Sequence, residues 1–560
     1  MPSTRIPASQ AGAQLRRAFA ESYARHCALF SCIHDENLLA SPNSHRRPLI
    51  FYLGHGHAIT SKLLGLRFLN NFDQRAFEPG VSQRPVDAAI LAADRAGTVS
   101  WPSPDALRSF GENVRRSVAS LHLDGFSAEA SQKRWALGMA CAHEDAHFEN
   151  ATVLLREMPT GSITRSSQWK ALYSSCSSAP HRFSAPARAA IDDLITIVSA
   201  DSDTDLRTVH LGRGDHPGGG ELSRSSKRSD SEEDVTFGWD NEWGRSTFEL
   251  SPFALTQRLV SNADFALFIE SGGYANVDLW DKEGWAWCQS QRAEHPLFWI
   301  PVRAAAAAGC DVMDTGPHAL RSTSEQHASD YQLRTVHAVV SMRWDLPAEL
   351  NLHESRAYAK WVTSITHTSY RVPSEAELRF AVELTQPPAG QRLVHVPIAV
   401  EFGEEEAWAE QSQSFVTPFP GAEMLGGTTL TSDRIRGEDE GDDWDDNKEQ
   451  LKQLLSLERR PDMPFPVDDE RSVLLLRGEM PMYGMKGSVW QWSDSEFAPF
   501  NGFTPDSLYK DFSTPYFDGK HFSQVGGSWA THGYSATETY RVWWRPDFQQ
   551  HCGLRLAVSL

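Results

Sequence analysis

From about residue 13 to 205, apolar residues recur at helical spacing and predict helices joined by polar loops. The segments are Gln14–Phe30, Pro48–Leu64, Pro104–Leu121 after the turn Trp101-Pro102-Ser103-Pro104, Trp135–Met158 and Pro186–Ala200. Short connections between several such helices imply a bundle that buries their apolar stripes against one another. Between about 210 and 234 the pattern gives way to Gly218-Gly219-Gly220, Ser225-Ser226 and Ser229-Asp230-Ser231-Glu232-Glu233-Asp234, so residues 206–234 are expected to form a solvated linker. Beyond residue 235 the apolar runs are short and rich in Trp and Gly, with helical spacing only at Asn351–Thr363 and Glu375–Glu383. Turn signals at this density predict an irregular, loop-rich α+β domain over 235–560. The acidic stretch Glu438–Asp446 is expected to be an exposed insertion, because it lacks the glycine and distal glutamate of a calcium loop.

At 560 residues the chain has room for two cores. A net charge of -20 argues against nucleic acid and anionic membranes as partners, since both call for a basic surface. No apolar run approaches the roughly 18 residues of a membrane span. Seven scattered cysteines with no CxxC pair predict neither a disulfide framework nor a thiolate zinc site, and the expected compartment is the reducing cytoplasm. Arginines without acids in the first twenty residues also fit an organelle transit peptide, but Gln14-Leu15-Arg16-Arg17-Ala18-Phe19 leads directly into the first helical pattern.

The strongest chemical signal is Ala142-His143-Glu144-Asp145-Ala146-His147-Phe148-Glu149, inside the segment Trp135–Met158. Residues four apart share a helix face with Cβ atoms about 5–6 Å apart, so both imidazoles can reach one metal ion. Trp135, Met139 and Leu154 continue roughly the same stripe, which suggests a metal in a bundle core. Glu149 lies about 200° from His147 and is expected to orient its surroundings without binding metal. A third imidazole is available in Gly54-His55-Gly56-His57, from His55 or His57 but not both, because two positions along a helix are about 200° apart. His143-Glu144-x-x-His147 also fits the zinc-peptidase pattern with Glu144 as base, although no third zinc ligand is evident downstream.

His143-x-x-x-His147-x-Glu149, Gly54-His55, Gly487-Ser488-Val489-Trp490-Gln491-Trp492, Gly526-Gly527-Ser528-Trp529 and Cys552-Gly553-Leu554-Arg555-Leu556-Ala557 occur in an order that resembles the non-haem iron sulfoxide synthases. The resemblance implies an N-terminal DinB-like four-helix bundle followed by a formylglycine-generating-enzyme-type domain with a C-type-lectin-like fold. It selects His55, with His143 and His147, as ligands of Fe(II). Formylglycine-generating enzymes use a close pair of copper-binding cysteines near the C-terminus, where this chain has Cys552 alone.

Within that family the chain is most similar to the ovothiol branch, the 5-histidylcysteine sulfoxide synthases, through Arg47-Pro48-Leu49-Ile50-Phe51-Tyr52, Trp101-Pro102-Ser103, Phe237-Gly238-Trp239-Asp240-Asn241-Glu242 and Asp511-Phe512-Ser513-Thr514-Pro515. Histidine, cysteine and O₂ are then the implied substrates. The ergothioneine branch often has Gln immediately before the second helix histidine, where this chain has Ala146, and some members have an arginine pair that is absent around Thr98–Ser103. Ovothiol enzymes commonly continue into a methyltransferase domain not found before Leu560, which leaves a sulfoxide-only role or another thiol or selenium donor open. The resemblance also marks Tyr509 as the catalytic acid, with Phe512 where the ergothioneine branch has a second tyrosine. A phenol of ordinary pKa ~10 stays protonated and ready to donate at neutral pH. Arg545, in Trp543-Trp544-Arg545-Pro546, is a candidate for a substrate carboxylate, and the site is expected in a cleft between the domains.

Overall fold

In the computed structural model, the residues described are 8–42, 46–68, 77, 92–94, 96–97, 99–123, 127–164, 194–199, 207–216, 237–302, 312–313, 331–386, 464, 467–468, 472–476 and 479–560. Among the described residues, four helices make the N-terminal bundle: α1 (Ala8–Phe30), α2 (Leu49–Leu63), α3 (Pro104–Ala119) and α4 (Ala128–Glu157). Ser103 and Ser127 start the last two, each accepting a hydrogen bond from a backbone N–H three residues on, at 3.2 and 3.1 Å. Phe19, Leu53, Leu107, Phe110, Leu137 and Leu154 meet in the bundle core.

α4 is the axle of the molecule. Its Leu137 and Leu154 face the bundle, while its Met139 and Ala142 enter a second core with Phe237, Trp239, Trp490 and Trp492. Trp529 and Ala530 of the C-terminal domain reach back into the bundle core. Helices buried on both sides need internal partners for their polar groups. Accordingly Arg156 gives both Nη groups to Glu349 at 2.7 Å, and the Thr152 hydroxyl lies 2.8 Å from His551 Nε2.

The C-terminal domain contains an antiparallel sheet in the order Leu194–Val198, Phe253–Thr256, Ala557–Ser559, Tyr370–Arg371. A second sheet runs Val542–Trp544, Phe522–Val525, Trp490–Glu496, Cys552–Gly553, with its last pair parallel. The class is α+β. Helices at Leu352–Thr366 and Glu375–Glu383 carry reciprocal caps, Asn351 with Glu354 and Ser374 with Glu377.

Two sequence expectations need correction. Of the helix expected over Pro186–Ala200, residues 186–193 and 200 lie outside the described residues, and Leu194–Val198 is a strand, because Leu-Ile-Thr-Ile-Val is largely β-branched and finds an open edge at Phe253–Thr256. The linker expected over 206–234 contains the strand Thr208–Gly214, paired with Gly244–Glu249. Both segments join the sheets of the second domain, whereas residues 217–234 and the acidic stretch 438–446 lie outside the described residues.

Candidate metal centre

His143 and His147 stand one turn apart on α4 with ring centroids 4.3 Å apart. His55 enters from α2, its ring 4.9 Å from His143 and 4.4 Å from His147. One nitrogen from each of the three lies within 4.8 Å of the others, the one such cluster among the described residues. His55 Nδ1 meets the Phe77 carbonyl at 2.5 Å, which assigns the proton to Nδ1 and leaves the Nε2 lone pair facing His147 Nε2 at 3.1 Å. Burial, opposed by that carbonyl, lowers His55 to about 4. Burial and the neighbouring His55 lower His143 to about 3, and His147 is driven well below its ordinary value by the same kind of causes. The buried Nδ1 atoms of His143 and His147 have no hydrogen-bond partner. Three neutral imidazoles whose nitrogens converge on one point fit a divalent transition metal.

The glycines of α2 explain how this packing is reached. A Cβ on Gly54 would stand 2.6 Å from the Phe77 ring, so the missing side chain admits Phe77 and thereby the carbonyl that orients His55. A Cβ on Gly56 would collide with the Glu144 carboxylate. Glu144 lies beside His26 Nδ1 at 3.6 Å and His57 Nδ1 at 3.5 Å. Burial opposes its ionisation, yet the imidazoles of His57 and His26 hold the carboxyl down to about 2. His57 is thus engaged on the far side of α2, over Gly111, and His55 is the imidazole that meets the α4 pair.

The second domain closes the site with the 506–513 loop. The Tyr509 ring lies 6.1 Å from His143 and 5.7 Å from Phe512, and Phe512 stacks on Trp239 at 3.6 Å with planes 9° apart. Asp506 accepts the Trp135 indole N–H at 2.8 Å, tying the loop to α4. Ser513 accepts from Asn241 Nδ2 at 2.9 Å and donates to Asp240 at 2.5 Å. Arg545 sits beside Asp518 at 3.6 Å with a third of its side chain exposed.

Glu149 points to the other domain: it accepts from Trp490 Nε1 at 2.7 Å, Ser528 Oγ at 2.5 Å and Thr531 Oγ1 at 3.0 Å. Sequence reasoning passed over Phe77, Trp239 and Asp506 as site residues. Trp239 lies in a quoted motif, but Phe77 acts through its backbone carbonyl, which no residue pattern announces.

The family profile described as the sulfatase-modifying factor enzyme 1-like domain matches residues 217–560. The chain belongs to this family. The match covers the domain that supplies Tyr509, Phe512 and the partners of Glu149. Among similar proteins, ergothioneine biosynthesis protein 1 of Neurospora crassa is 22% identical over 528 residues, covering 89% of this chain and 52% of that protein. The hercynine oxygenase of Mycolicibacterium thermoresistibile is 24% identical over 329 residues, covering 58% of this chain and 54% of the relative. That of Mycobacterium tuberculosis is 24% identical over 327 residues, covering 57% and 56%. The chain therefore spans about half the length of these relatives. No described helix is long and apolar enough to cross a membrane.

Proposed function

We propose that the chain is an Fe(II)- and O₂-dependent sulfoxide synthase that joins the sulfur of cysteine to the imidazole ring of histidine. The observation that carries this reading is the cluster of three neutral imidazoles, from two bundle helices, faced by Tyr509 from the second domain. His55, His143 and His147 would hold the iron. A bound Fe(II) would supply electron transfer to O₂ and acidify a coordinated thiol. The balance is closed without an organic cofactor. Loss of one C–H and one S–H hydrogen forms the C–S bond, one atom of O₂ becomes the sulfoxide oxygen, and the other leaves with the two hydrogens as water.

The protein's own share is proton delivery, positioning and exclusion of water. Tyr509 donates the proton to the reduced oxygen, while Phe512 on Trp239 forms a flat, dry wall suited to an imidazole ring. Glu144 lies against His26 and His57, which weakens the zinc-peptidase alternative because that chemistry needs the carboxylate at the metal's water. The net charge and the reduced cysteines 27, 32, 141, 288 and 552 suit a cytoplasmic enzyme acting on small substrates.

The names of the relatives support an ergothioneine-type second reading, with hercynine as acceptor. The test is anaerobic loading with Fe(II), then O₂ uptake and mass spectrometry with histidine or hercynine against cysteine or γ-glutamylcysteine. Histidine plus cysteine should give the highest kcat/KM, and His55→Ala should lose most of the iron and the uptake. Full iron in His55→Ala would remove the ligand assignment, and a preference for hercynine with γ-glutamylcysteine would move the chain to the second reading.

A further inference from the structure

The loop that carries Tyr509 is held at its two ends by different parts of the molecule. At the far end, Ser513 sits between Asp240 and Asn241, at 2.5 and 2.9 Å, and Phe512 stacks on Trp239. These partners belong to the second domain. At the near end stands Asp506, 5% exposed. Its carbonyl accepts the Tyr509 N–H at 3.2 Å, and its Oδ1 accepts the Leu508 N–H at 2.8 Å. One residue thus closes a β-turn and an Asx-turn, and fixes where the Tyr509 backbone starts. Its Oδ2 accepts the indole N–H of Trp135 at 2.8 Å, and that donor is on α4. His216 Nε2 lies 3.8 Å from the same oxygen, beyond hydrogen-bond distance.

Trp135 precedes His143 by eight residues, about 12 Å along the helix axis. Its ring packs 5.2 Å from that of Phe237 and 6.4 Å from that of Trp243, which hold the direction of its N–H. The path from the His143 imidazole to the Tyr509 phenol therefore runs along one helix, across one interdomain hydrogen bond and through one turn. The chemistry of residue 506 is equally specific. A carboxylate offers two acceptor oxygens to two N–H groups, whereas an amide of the same shape offers one and turns a donor against the other N–H.

We infer that Asp506 is a positioning residue: by joining Trp135 of α4 to the turn that begins the Tyr509 loop, it sets the phenol at its place beside His143. The consequence for turnover rests on the proposed role of Tyr509 as proton donor.

Wild type, Trp135→Phe, Asp506→Asn and the double variant are compared by hydrogen exchange of the 506–512 amides. After loading with Fe(II), the same proteins are compared by kcat, KM and product ratio. Trp135→Phe leaves the loop's own bonds intact, so exchange of the Tyr509 and Phe512 amides should be about tenfold faster there because the tie to α4 is lost. Asp506→Asn should lower kcat about 10- to 100-fold, through a misplaced phenol, at unchanged KM and iron content. Its product should shift from sulfoxide towards cysteine sulfinic acid. The double variant should recover to the level of Trp135→Phe, because one acceptor suffices for Leu508 once the indole donor is gone. In a Tyr509→Phe background, Asp506→Asn should leave the product ratio where Tyr509→Phe alone puts it. Wild-type exchange in Trp135→Phe, additive losses in the double variant, or a loss carried by KM overturns the inference. Should Asp506→Asn fail to fold, exchange and kcat in Trp135→Phe decide alone. A wild type that forms no sulfoxide sinks the proposed reaction, and the exchange measurement then decides the positioning role by itself.

Discussion

Replacing Glu149 with alanine removes the carboxylate that ties α4 to the second domain two residues beyond His147. The side chain is 7% exposed and accepts from Trp490, Ser528 and Thr531. A hydrogen bond to a charged group contributes about 1.5–3 kcal/mol, but three do not add here. Ser528 and Thr531 also bond each other at 3.2 Å, and Thr531 Oγ1 accepts the Ser528 N–H at 2.7 Å, so the two hydroxyls retain partners. Trp490 Nε1 is left buried with none. The expected loss for Glu149→Ala is about 3–4 kcal/mol, one full charged bond plus part of the other two. Glu149→Gln keeps an acceptor for the indole and should cost about 1 kcal/mol. The readout is the first urea transition followed by tryptophan fluorescence, with the iron dissociation constant measured alongside. An alanine variant within about 1 kcal/mol of wild type, or a glutamine variant as damaged as alanine, would refute the reasoning.

Gly54→Ala places a Cβ 2.6 Å from the Phe77 ring and 3.1 Å from Leu107, so overpacking should cost about 1–3 kcal/mol and weaken iron binding by displacing the carbonyl that orients His55; unchanged iron affinity would reject that link. In Tyr509→Phe, iron content should hold while sulfoxide falls and cysteine sulfinic acid rises, and a wild-type product ratio would return Tyr509 to a structural role. Burial alone would raise Glu349, but Arg156 and His551 hold it at about 2 instead of 4.5. A lowered folded value means that its stabilisation is complete above 4.5 and is lost as pH falls towards about 2, so the urea-midpoint gap between wild type and Glu349→Gln should be wide at neutral pH and narrow through that window. A gap independent of pH would contradict this.

The sequence by itself determined what depends on neighbours along the chain. Four-residue spacing puts His143 and His147 on one face, the turn Trp101-Pro102-Ser103-Pro104 precedes a helix, and the change of apolar period separates a bundle from a sheet-rich domain. Tertiary structure decided what depends on which surfaces meet. Leu194–Val198 is a strand because an edge at Phe253–Thr256 receives it, where the sequence reading placed the end of a helix. His55 and His57 are equivalent in the sequence, and only the packing of α2 directs one to α4's imidazoles and the other to Glu144. Arg46 and Arg47 are adjacent, yet Asp94 takes Arg47 while the rings of Trp544 and Phe548 flank Arg46. Local spacing sets where a side chain starts; the partner that satisfies or leaves open its polar atoms comes from residues remote in sequence, and burial makes that difference energetically large.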